Sequence, residues 1–253
     1  MYSPGEFGKL IGRAVNTLQQ WDSKGILKAQ RSPTNRRYYT NDQYLEYLEL
    51  VAKEQGKTMV YARVSGQAQK TDIRILLIGM KGCGKTTIGR LLAEKLRVPF
   101  IDSDTEIEQM HRRERSEALS SGQILKQYGE KYFHALEIRA LKQVAREIEK
   151  TDFVFACGGR TPLQEENQEI LPQLGTIIFL HTDKVVLLKR ILAQGIPSFF
   201  PYQDDAEKSL DELLTQRMPA YKKLADLTIV VGEGTPEEVM HTILTELRAY
   251  DQN

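Results

Sequence analysis

Short apolar runs separated by helical patterns dominate the chain from residue 72 onward. The run from Ile73 to Ile78 is followed by apolar residues spaced three and four apart, which is typical of one face of a helix. Three later runs are separated by further helical stretches: Phe153 to Ala156, Thr176 to Leu180 and Leu227 to Val231. This alternation predicts a parallel β-sheet that is covered on both faces by helices.

The first 52 residues, which we call the head, carry the pattern of three short helices. Their apolar faces are Phe7, Leu10 and Ile11; Val15, Leu18 and Trp21; and Tyr44, Leu45, Leu48 and Val51. Between the last two helices, residues 28–39 are basic and rich in turn residues, which indicates a wing that grips phosphate. The second helix also has polar side chains that can reach base edges, namely Asn16, Thr17, Gln19 and Gln20. The head is therefore predicted to be a winged helix-turn-helix, with double-stranded DNA as a candidate partner.

Charge is distributed unevenly along the 253 residues, whose formal net charge is +1. Residues 1–70 contain 11 Lys and Arg against 6 Asp and Glu, a surplus of five, so the other 183 residues sum to minus four. A basic head on a mildly acidic remainder favours a polyanionic partner for the head. The same surplus also fits an ordinary soluble surface.

The sequence indicates neither membrane insertion nor export. No apolar run approaches the roughly 18 residues that cross a bilayer, and the first residues lack the regions of a signal peptide. Cys83 and Cys157 provide neither a disulfide framework nor metal-ligand spacing. They are interpreted as small side chains, with a redox pair as the alternative if both line one site. We expect a cytoplasmic protein.

The segment Gly79-Met-Lys-Gly-Cys-Gly-Lys-Thr86 matches the phosphate-binding loop G-x-x-x-x-G-K-[ST] in full. Its glycines, Gly79, Gly82 and Gly84, let successive backbone N–H groups converge on phosphate oxygens. Lys85 brings positive charge to the transferable phosphate, and the Thr86 hydroxyl can complete a magnesium shell. A glycine-rich turn with a chance lysine is the weaker alternative, because a predicted strand precedes the loop and a predicted helix follows it. ATP and Mg²⁺ are the expected cofactors.

Two carboxylates, Asp102 and Asp104, follow Phe100 and Ile101 at the end of a predicted strand. Ligands of open parallel sheets gather at the carboxyl edge. One carboxylate can hold magnesium through water while the other orients or deprotonates a hydroxyl nucleophile. With equal weight, either side chain could simply cap the helix that follows.

These motifs and several others resemble shikimate kinase in order and spacing over residues 72–250. Beyond the phosphate loop they are Asp102-Ser-Asp104-Thr-Glu-Ile-Glu, Gly129-Glu130, Phe133 with Glu137, Gly158-Gly159 and Arg217-Met-Pro-Ala-Tyr-Lys-Lys-Leu-Ala-Asp226. The resemblance implies an α/β fold, that of a P-loop kinase with a five-stranded parallel sheet of strand order 2-3-1-4-5 and a mobile lid.

The same resemblance implies roles for individual residues. Lys85 and Asp104 would be the catalytic residues, the second acting on the acceptor hydroxyl, while Thr86 and Asp102 would hold magnesium. Nucleotide contacts would come from the phosphate-loop residues together with Thr87 and Arg190. Substrate contacts would come from Asp104, His134, Gly158, Gly159, Arg160 and Arg217, the last of these binding a substrate carboxylate.

Three positions depart from the family's pattern where the substrate or the transition state is recognised. His134 replaces a carboxylate-binding arginine, and it has a shorter reach and little charge at pH 7. Arg160 replaces the third glycine of Gly-Gly-Gly, and either it restores the positive charge lost at residue 134 or its bulk closes the pocket. Ile196 replaces the arginine of the lid. The aromatic residues that follow it, Phe199 and Phe200, either cover a substrate or pack into the core.

The head resembles the MerR-like winged helix-turn-helix at the front of a group of serine-recombinase transposases, in Ser3-Pro-Gly-Glu-Phe-Gly-Lys-Leu-Ile-Gly12 and Asn35-Arg-Arg-Tyr-Tyr-Thr40. After it, Val60-Tyr-Ala-Arg-Val-Ser65 looks like the first strand of a serine recombinase, with Arg63 and Ser65 at its reactive positions. The rest of that catalytic domain is missing, so Ser65 lacks an activating shell. The predicted division is the head at 1–52, a linker with a remnant strand at 53–71, and residues 72–253, which we call the body.

Three functions are compatible with this sequence. The leading hypothesis is ATP-dependent phosphorylation of a hydroxyl on a small anionic metabolite, with shikimate as the default acceptor through the resemblance. The second is a DNA-binding regulator whose body binds nucleotide and has weakened catalysis. In the third, the head is left over from a transposase insertion and has no present role.

Overall fold

The structure is a computed structural model of the chain. Within the part of the chain that it describes, no helix combines the length and the apolar character that a membrane crossing demands. The recombinase-like residues Arg63 and Ser65 lie outside that part, so their predicted positions on a strand are not tested. The described residues are 1–55, 59–62, 73–147, 151–232 and 234–250.

Three helices and a two-stranded hairpin form the head. In chain order they are α1 (Pro4–Leu10), α2 (Val15–Lys24), β1 (Gln30–Arg31), β2 (Arg37–Tyr38) and α3 (Asn41–Gln55). The hairpin is the predicted wing, since β1 and β2 pair antiparallel. Phe7 stacks on Tyr39 with 4.4 Å between ring centroids, and Leu18 and Leu27 are buried beside them. The predicted winged helix-turn-helix is confirmed, and α3 continues past residue 52.

Six strands form one sheet that positions the rest of the molecule. They are β3 (Met59–Ala62), β4 (Arg74–Ile78), β5 (Phe100–Asp102), β6 (Phe153–Ala156), β7 (Thr176–Thr182) and β8 (Leu227–Val231). Their spatial order is β3-β8-β7-β4-β6-β5, and the five strands from β4 to β8 pair in parallel. Numbered within the body alone, those five strands run 2-3-1-4-5, which confirms the predicted topology.

Helices cover both faces of this sheet. They are α4 (Lys85–Leu96), α5 (Ser103–Arg115), α6 (Ser121–Glu147, with a kink at Gly129), α7 (Glu165–Leu174), α8 (Lys184–Gln194), α9 (Ala206–Leu224) and α10 (Pro236–Tyr250). Successive residues of a strand point to opposite faces. Accordingly, Ile75 and Leu77 of β4 belong to one buried cluster, and Leu76 and Ile78 belong to the other. Apolar residues on both sides of the strand explain its continuous apolar run.

The linker contributes a sixth strand whose pairing was not predicted. β3 runs antiparallel to β8, with Met59 opposite Val230 and Ala62 opposite Leu227. Without β3, the backbone N–H and C=O groups on one side of β8 would lie at an open sheet edge, which is a common site of unwanted strand pairing. The strand therefore closes one edge of the body's sheet.

The head packs against the body through α3. Leu45, Leu48 and Ala52 form a buried cluster with Val230 of β8. Two polar contacts connect the same parts: Glu49 Oε1 lies 2.6 Å from His181 Nε2, and Lys222 Nζ lies 3.5 Å from Asp42 Oδ1. Consequently α3 belongs to the core of the head on one side and to the surface of the body on the other.

Candidate active site

A cleft of about 760 Å³ opens at the carboxyl edge of the parallel strands, where such sheets bind their ligands. Two predicted site residues, Gly79 and His134, are not part of its lining. The cleft brings together all of the other site residues predicted from the sequence: Gly82, Gly84, Lys85, Thr86, Thr87, Asp102, Asp104, Gly158, Gly159, Arg160, Arg190 and Arg217.

The phosphate loop connects β4 to α4 and requires glycine at its first position. Gly79 has a φ of 144°, and a Cβ atom built there would lie 2.8 Å from the Leu180 carbonyl oxygen and 2.9 Å from Cys83 Sγ. Gly84 immediately precedes α4 with a φ of 101°, which other residues rarely adopt. The loop therefore directs the N-terminal end of α4, with its free N–H groups and positive dipole end, towards the cleft.

The Lys85 ammonium group lies above this loop. Lys85 Nζ donates hydrogen bonds to the carbonyl oxygens of Gly79, at 2.9 Å, and Met80, at 3.1 Å. Gly79 does not line the cleft, but its carbonyl oxygen helps to position the Lys85 ammonium group. At the other side of the loop, Arg190 of α8 donates to the Gly82 carbonyl at 3.2 Å.

Asp102 caps the helix that follows it and also contacts the phosphate loop. Its Oδ1 accepts a hydrogen bond from the Asp104 N–H at 3.0 Å and so caps α5. Its Oδ2 accepts one from Thr86 Oγ1 at 2.9 Å. The hydroxyl and carboxylate oxygens are ligands that Mg²⁺ prefers, and Mg²⁺ commonly takes its remaining ligands from phosphate and water. Thr86 and Asp102 therefore offer oxygen atoms whose chemistry fits Mg²⁺.

Asp104 lines the cleft from the first turn of α5, as the second residue of that helix. Its side chain reaches the solvent of the cleft, but the surrounding protein removes part of the water from its carboxyl group. This partial desolvation raises the pKa of the carboxyl group above the ordinary aspartate value of 3.8. The negative charge of Asp102 raises the pKa further, while Lys85 lowers it. A carboxylate with a raised pKa is a better proton acceptor than an ordinary aspartate, which suits a group that orients and deprotonates a hydroxyl.

Buried hydrogen bonds position the loop after β6. Ser103 Oγ accepts from the Gly158 N–H at 2.6 Å, and the Tyr221 hydroxyl donates to the Gly159 carbonyl at 2.5 Å. Glu137 is buried and accepts from Thr161 Oγ1 at 2.7 Å; burial raises the pKa of its carboxyl group. Sequence analysis assigned no role to Ser103 or Tyr221, although both lie within motifs that it quoted.

Arg217 is a buried guanidinium with few partners. It is 4% exposed, and its Nη1 lies 3.7 Å from the Met80 sulfur. Its Nε has no hydrogen-bond partner, and no ion pair to it occurs among the described residues. Burial lowers its pKa. Because a buried charge without a counter-ion is costly, this arrangement suits the binding of an anion.

The sequence left open whether Phe199 and Phe200, which follow α8, face the cleft or pack into the core, and the structure places one residue in each position. Phe200 is buried in the core, whereas Phe199 lines the cleft with its ring 5.4 Å from the Arg217 guanidinium carbon. Gln203 Nε2 donates to the carbonyl oxygens of Pro197, at 3.1 Å, and Phe200, at 2.8 Å. These bonds hold the segment that places Phe199 beside Arg217 in the cleft.

Cys83 and Cys157 both border the cleft, but their side chains are buried. Burial strongly raises the pKa of the Cys157 thiol. Because the thiolate is the reactive form, this environment disfavours the redox pair considered from the sequence.

Residues 81–248 match the family model for shikimate kinase, and residues 2–53 match that of the MerR HTH family regulatory protein. A shikimate kinase from a Synechococcus species is 35% identical over 182 residues, which cover 72% of this chain and 83% of the relative. One from Thermodesulfovibrio yellowstonii is 36% identical over 172 residues, which cover 68% of this chain and 93% of the relative.

Solved structures agree with these sequence matches. Shikimate kinase from Acinetobacter baumannii in complex with shikimate has a TM-score of 0.63 and 30% identity, covering 71% of this chain and 95% of that one. Shikimate kinase from Aquifex aeolicus has a TM-score of 0.57 and 34% identity, covering 70% and 97%. Since the family model matches more than half of the chain, and the similarity spans most of each relative, the chain belongs to the shikimate kinase family.

Proposed function

We propose that the protein transfers a phosphoryl group from ATP to a hydroxyl group of a small carboxylic acid, with shikimate as the first candidate acceptor. The observation that carries this proposal is the union, in one cleft, of a phosphate loop, a carboxylate with a raised pKa and a buried guanidinium without a carboxylate partner. Nucleotide, acceptor hydroxyl and acceptor carboxylate each find a group of suitable chemistry there.

In the proposed reaction, the oxygen of the acceptor hydroxyl forms a bond to the γ-phosphorus of ATP, and the bond between that phosphorus and the ADP oxygen breaks. Asp104 accepts the proton that the hydroxyl loses. Lys85 stabilises the negative charge that develops on the phosphoryl oxygens. Thr86 and Asp102 would hold Mg²⁺, which supplies further positive charge when bound. Arg217 binds the acceptor carboxylate and so fixes the position of the hydroxyl relative to Asp104.

A coupled assay of ADP release tests this function. With ATP, Mg²⁺ and shikimate, we expect release of ADP that saturates with shikimate and is absent without the acid. Binding of ATP in calorimetry, combined with no ADP release from shikimate or other small hydroxy acids, would argue instead for a regulatory body that binds nucleotide without efficient turnover.

Arg217 provides a prediction that separates stability from function. Replacing it by methionine, which is similar in length and uncharged, is expected to increase the free energy of unfolding by about 1 kcal/mol, because the variant no longer buries a charge without a counter-ion. The same variant is expected to raise the KM for the acid by about tenfold or more through loss of a charge-assisted hydrogen bond. Urea unfolding and steady-state kinetics measure the two effects. The exposed Arg146→Met is the control and should change neither, whereas a less stable Arg217→Met protein would contradict the argument.

DNA binding by the head is a second candidate function, which an observation on the wing supports. Arg31 and Arg37 both donate to Asp22, at 2.7 and 2.8 Å, and are thereby engaged. Arg36 is exposed at the tip of the wing, and no ion pair to it occurs within the described ranges. Asn16, on α2, is also exposed.

If the head binds duplex DNA, Arg36→Ala should weaken binding to all sequences similarly and reduce the slope of log affinity against log salt by about one. Fluorescence anisotropy with a labelled duplex between 50 and 200 mM salt measures this slope. Lys53→Ala, on the exposed side of α3, is the control. No binding of any duplex near 100 mM salt would leave the head without this function.

A further inference from the structure

We propose that Arg160 recognises the carboxylate of the acceptor together with Arg217, and that Glu130 positions Arg160 for this task. Residue 134 then has no direct part in acid recognition. The inference rests on the proposed function, because it identifies the residues that make the cleft selective for an acid.

Arg160 lies in the loop after β6, directly beside Gly159, and it lines the cleft. Its side chain is 26% exposed, and its Nη1 donates to Glu130 Oε1 at 2.9 Å. A guanidinium has five N–H donors in a fixed plane, and this contact uses one of them. Arg160 can therefore keep its bond to Glu130 and still offer donors to a second carboxylate.

Glu130 is suited to orient Arg160. It follows the kink at Gly129 in α6, its side chain is 68% exposed, and the hydrogen bond from Arg160 lowers the pKa of its carboxyl group. Because an exposed ion pair contributes little to stability, the pair is better explained by the orientation that it gives to Arg160 than by any stabilisation of the fold.

Two positive charges meet at the same part of the cleft. Arg217 Nη1 would lie 3.1 Å from a Cβ atom built on Gly159, and Arg160 is the next residue along the chain. The positive charge of Arg160 contributes to the lowered pKa of Arg217, so the two guanidinium groups interact unfavourably. A carboxylate bound between them would relieve this repulsion and accept hydrogen bonds from both.

His134 lies near the same Glu130, whose pKa it also helps to lower after Arg160, but it does not line the cleft. Its Nε2 lies 3.5 Å from Gln164 Nε2. In addition, residues 192–206 contain no lysine or arginine, so the segment that carries Phe199 brings no cation to the acid. In this proposal, Arg160 in the loop after β6 supplies the positive charge that residue 134 does not bring to the cleft.

Steady-state ADP release with shikimate and with its uncharged methyl ester tests the inference. Arg160→Ala is expected to raise the KM for shikimate about ten- to one-hundredfold, the range for loss of a charge-assisted hydrogen bond, while kcat changes less than about threefold. The KM for the ester should hardly change, so the preference for the acid over the ester falls.

Glu130→Gln should raise the KM for shikimate less than Arg160→Ala does. The double variant should resemble Arg160→Ala, because Glu130 acts only through that residue. Arg160→Lys should recover part of the affinity.

Arg139 provides the matched control, since it is a half-exposed arginine paired with Glu114 at 2.6 Å on the outside of α6. Arg139→Ala should leave both KM values unchanged, and His134→Ala should have far less effect than Arg160→Ala. The inference fails, while the proposed function stands, if wild-type protein turns over shikimate and Arg160→Ala leaves its KM unchanged or raises both KM values equally.

If the wild type releases no ADP with shikimate, calorimetric binding of shikimate decides between the same outcomes. Weaker binding by Arg160→Ala supports the inference, and equal binding by the two proteins overturns it. Absence of any shikimate binding by the wild type overturns the inference and also removes shikimate as the acceptor.

Discussion

Replacing Lys85 by alanine is expected to lower kcat for phosphoryl transfer about 10³-fold or more, the range for loss of a positive charge that stabilises the transferring group. In this structure the ammonium group is held above the loop by the carbonyl oxygens of Gly79 and Met80. Its position therefore depends on the same glycine that makes the loop possible. The fold should survive, because the side chain is only half-buried and its loss leaves no buried carboxylate unpaired.

The control for this experiment is Lys95→Ala, an exposed lysine on the same helix, which should retain wild-type kcat. ADP release measures activity, and calorimetry with ATP shows whether nucleotide still binds. Turnover by Lys85→Ala near the wild-type rate would contradict a catalytic role for Lys85 and would mean that other groups stabilise the transferring phosphoryl group.

The second large effect is expected for Asp104→Asn, with kcat reduced about 10²- to 10⁴-fold through loss of the group that orients and deprotonates the acceptor hydroxyl. Asparagine keeps the shape of the side chain but cannot accept the proton. The wild-type rate should fall as the pH is lowered through the pKa of Asp104, and this acid limb should lie above the ordinary aspartate value of 3.8 because enclosure in the cleft and Asp102 both raise that pKa.

The same shift has a consequence for stability whose sign can be derived. A carboxyl group whose pKa is higher in the folded than in the unfolded protein favours folding most at low pH, and that contribution is lost as the pH rises through the folded-state pKa. At neutral pH the charged Asp104 is therefore a small cost to the fold. Asp104→Asn should melt at or slightly above the wild-type temperature, while the exposed Asp204→Asn should leave activity unchanged. A variant that is both inactive and markedly less stable would indicate a structural role for Asp104 instead.

Local spacing made much of this protein predictable. Gly79 to Thr86 matched a mechanism that requires those residue types at those positions, and the apolar runs gave the parallel strands because a strand buried on both faces needs continuous apolar residues. The wing could be anticipated because its turn residues and basic residues lie within a dozen positions of each other. The order of the five parallel strands came from the family resemblance rather than from the pattern itself.

Features that depend on contacts between distant segments were not predictable in this way. The strand at Met59–Ala62 has no strong apolar alternation, and its partner β8 follows only near the end of the chain. The sequence left open whether Arg160 closes the pocket, because the answer depends on its ion pair with Glu130, which is thirty positions away in the chain. Phe199 and Phe200 are adjacent and chemically identical, and only the folded path of the chain directs one into the cleft and the other into the core.

The pairing of β3 with β8 also constrains the order in which the chain can assemble during synthesis. The head is made first and depends on contacts between residues close in sequence, so it can form while the rest of the chain is still being translated. β3 then has to wait until β8 leaves the ribosome, since nearly the whole body separates the two strands and a loop of that length is costly to close. Docking of α3 and closure of the sheet edge are therefore late events, and a nascent chain that stops before Leu227 carries a finished head beside an unfinished kinase.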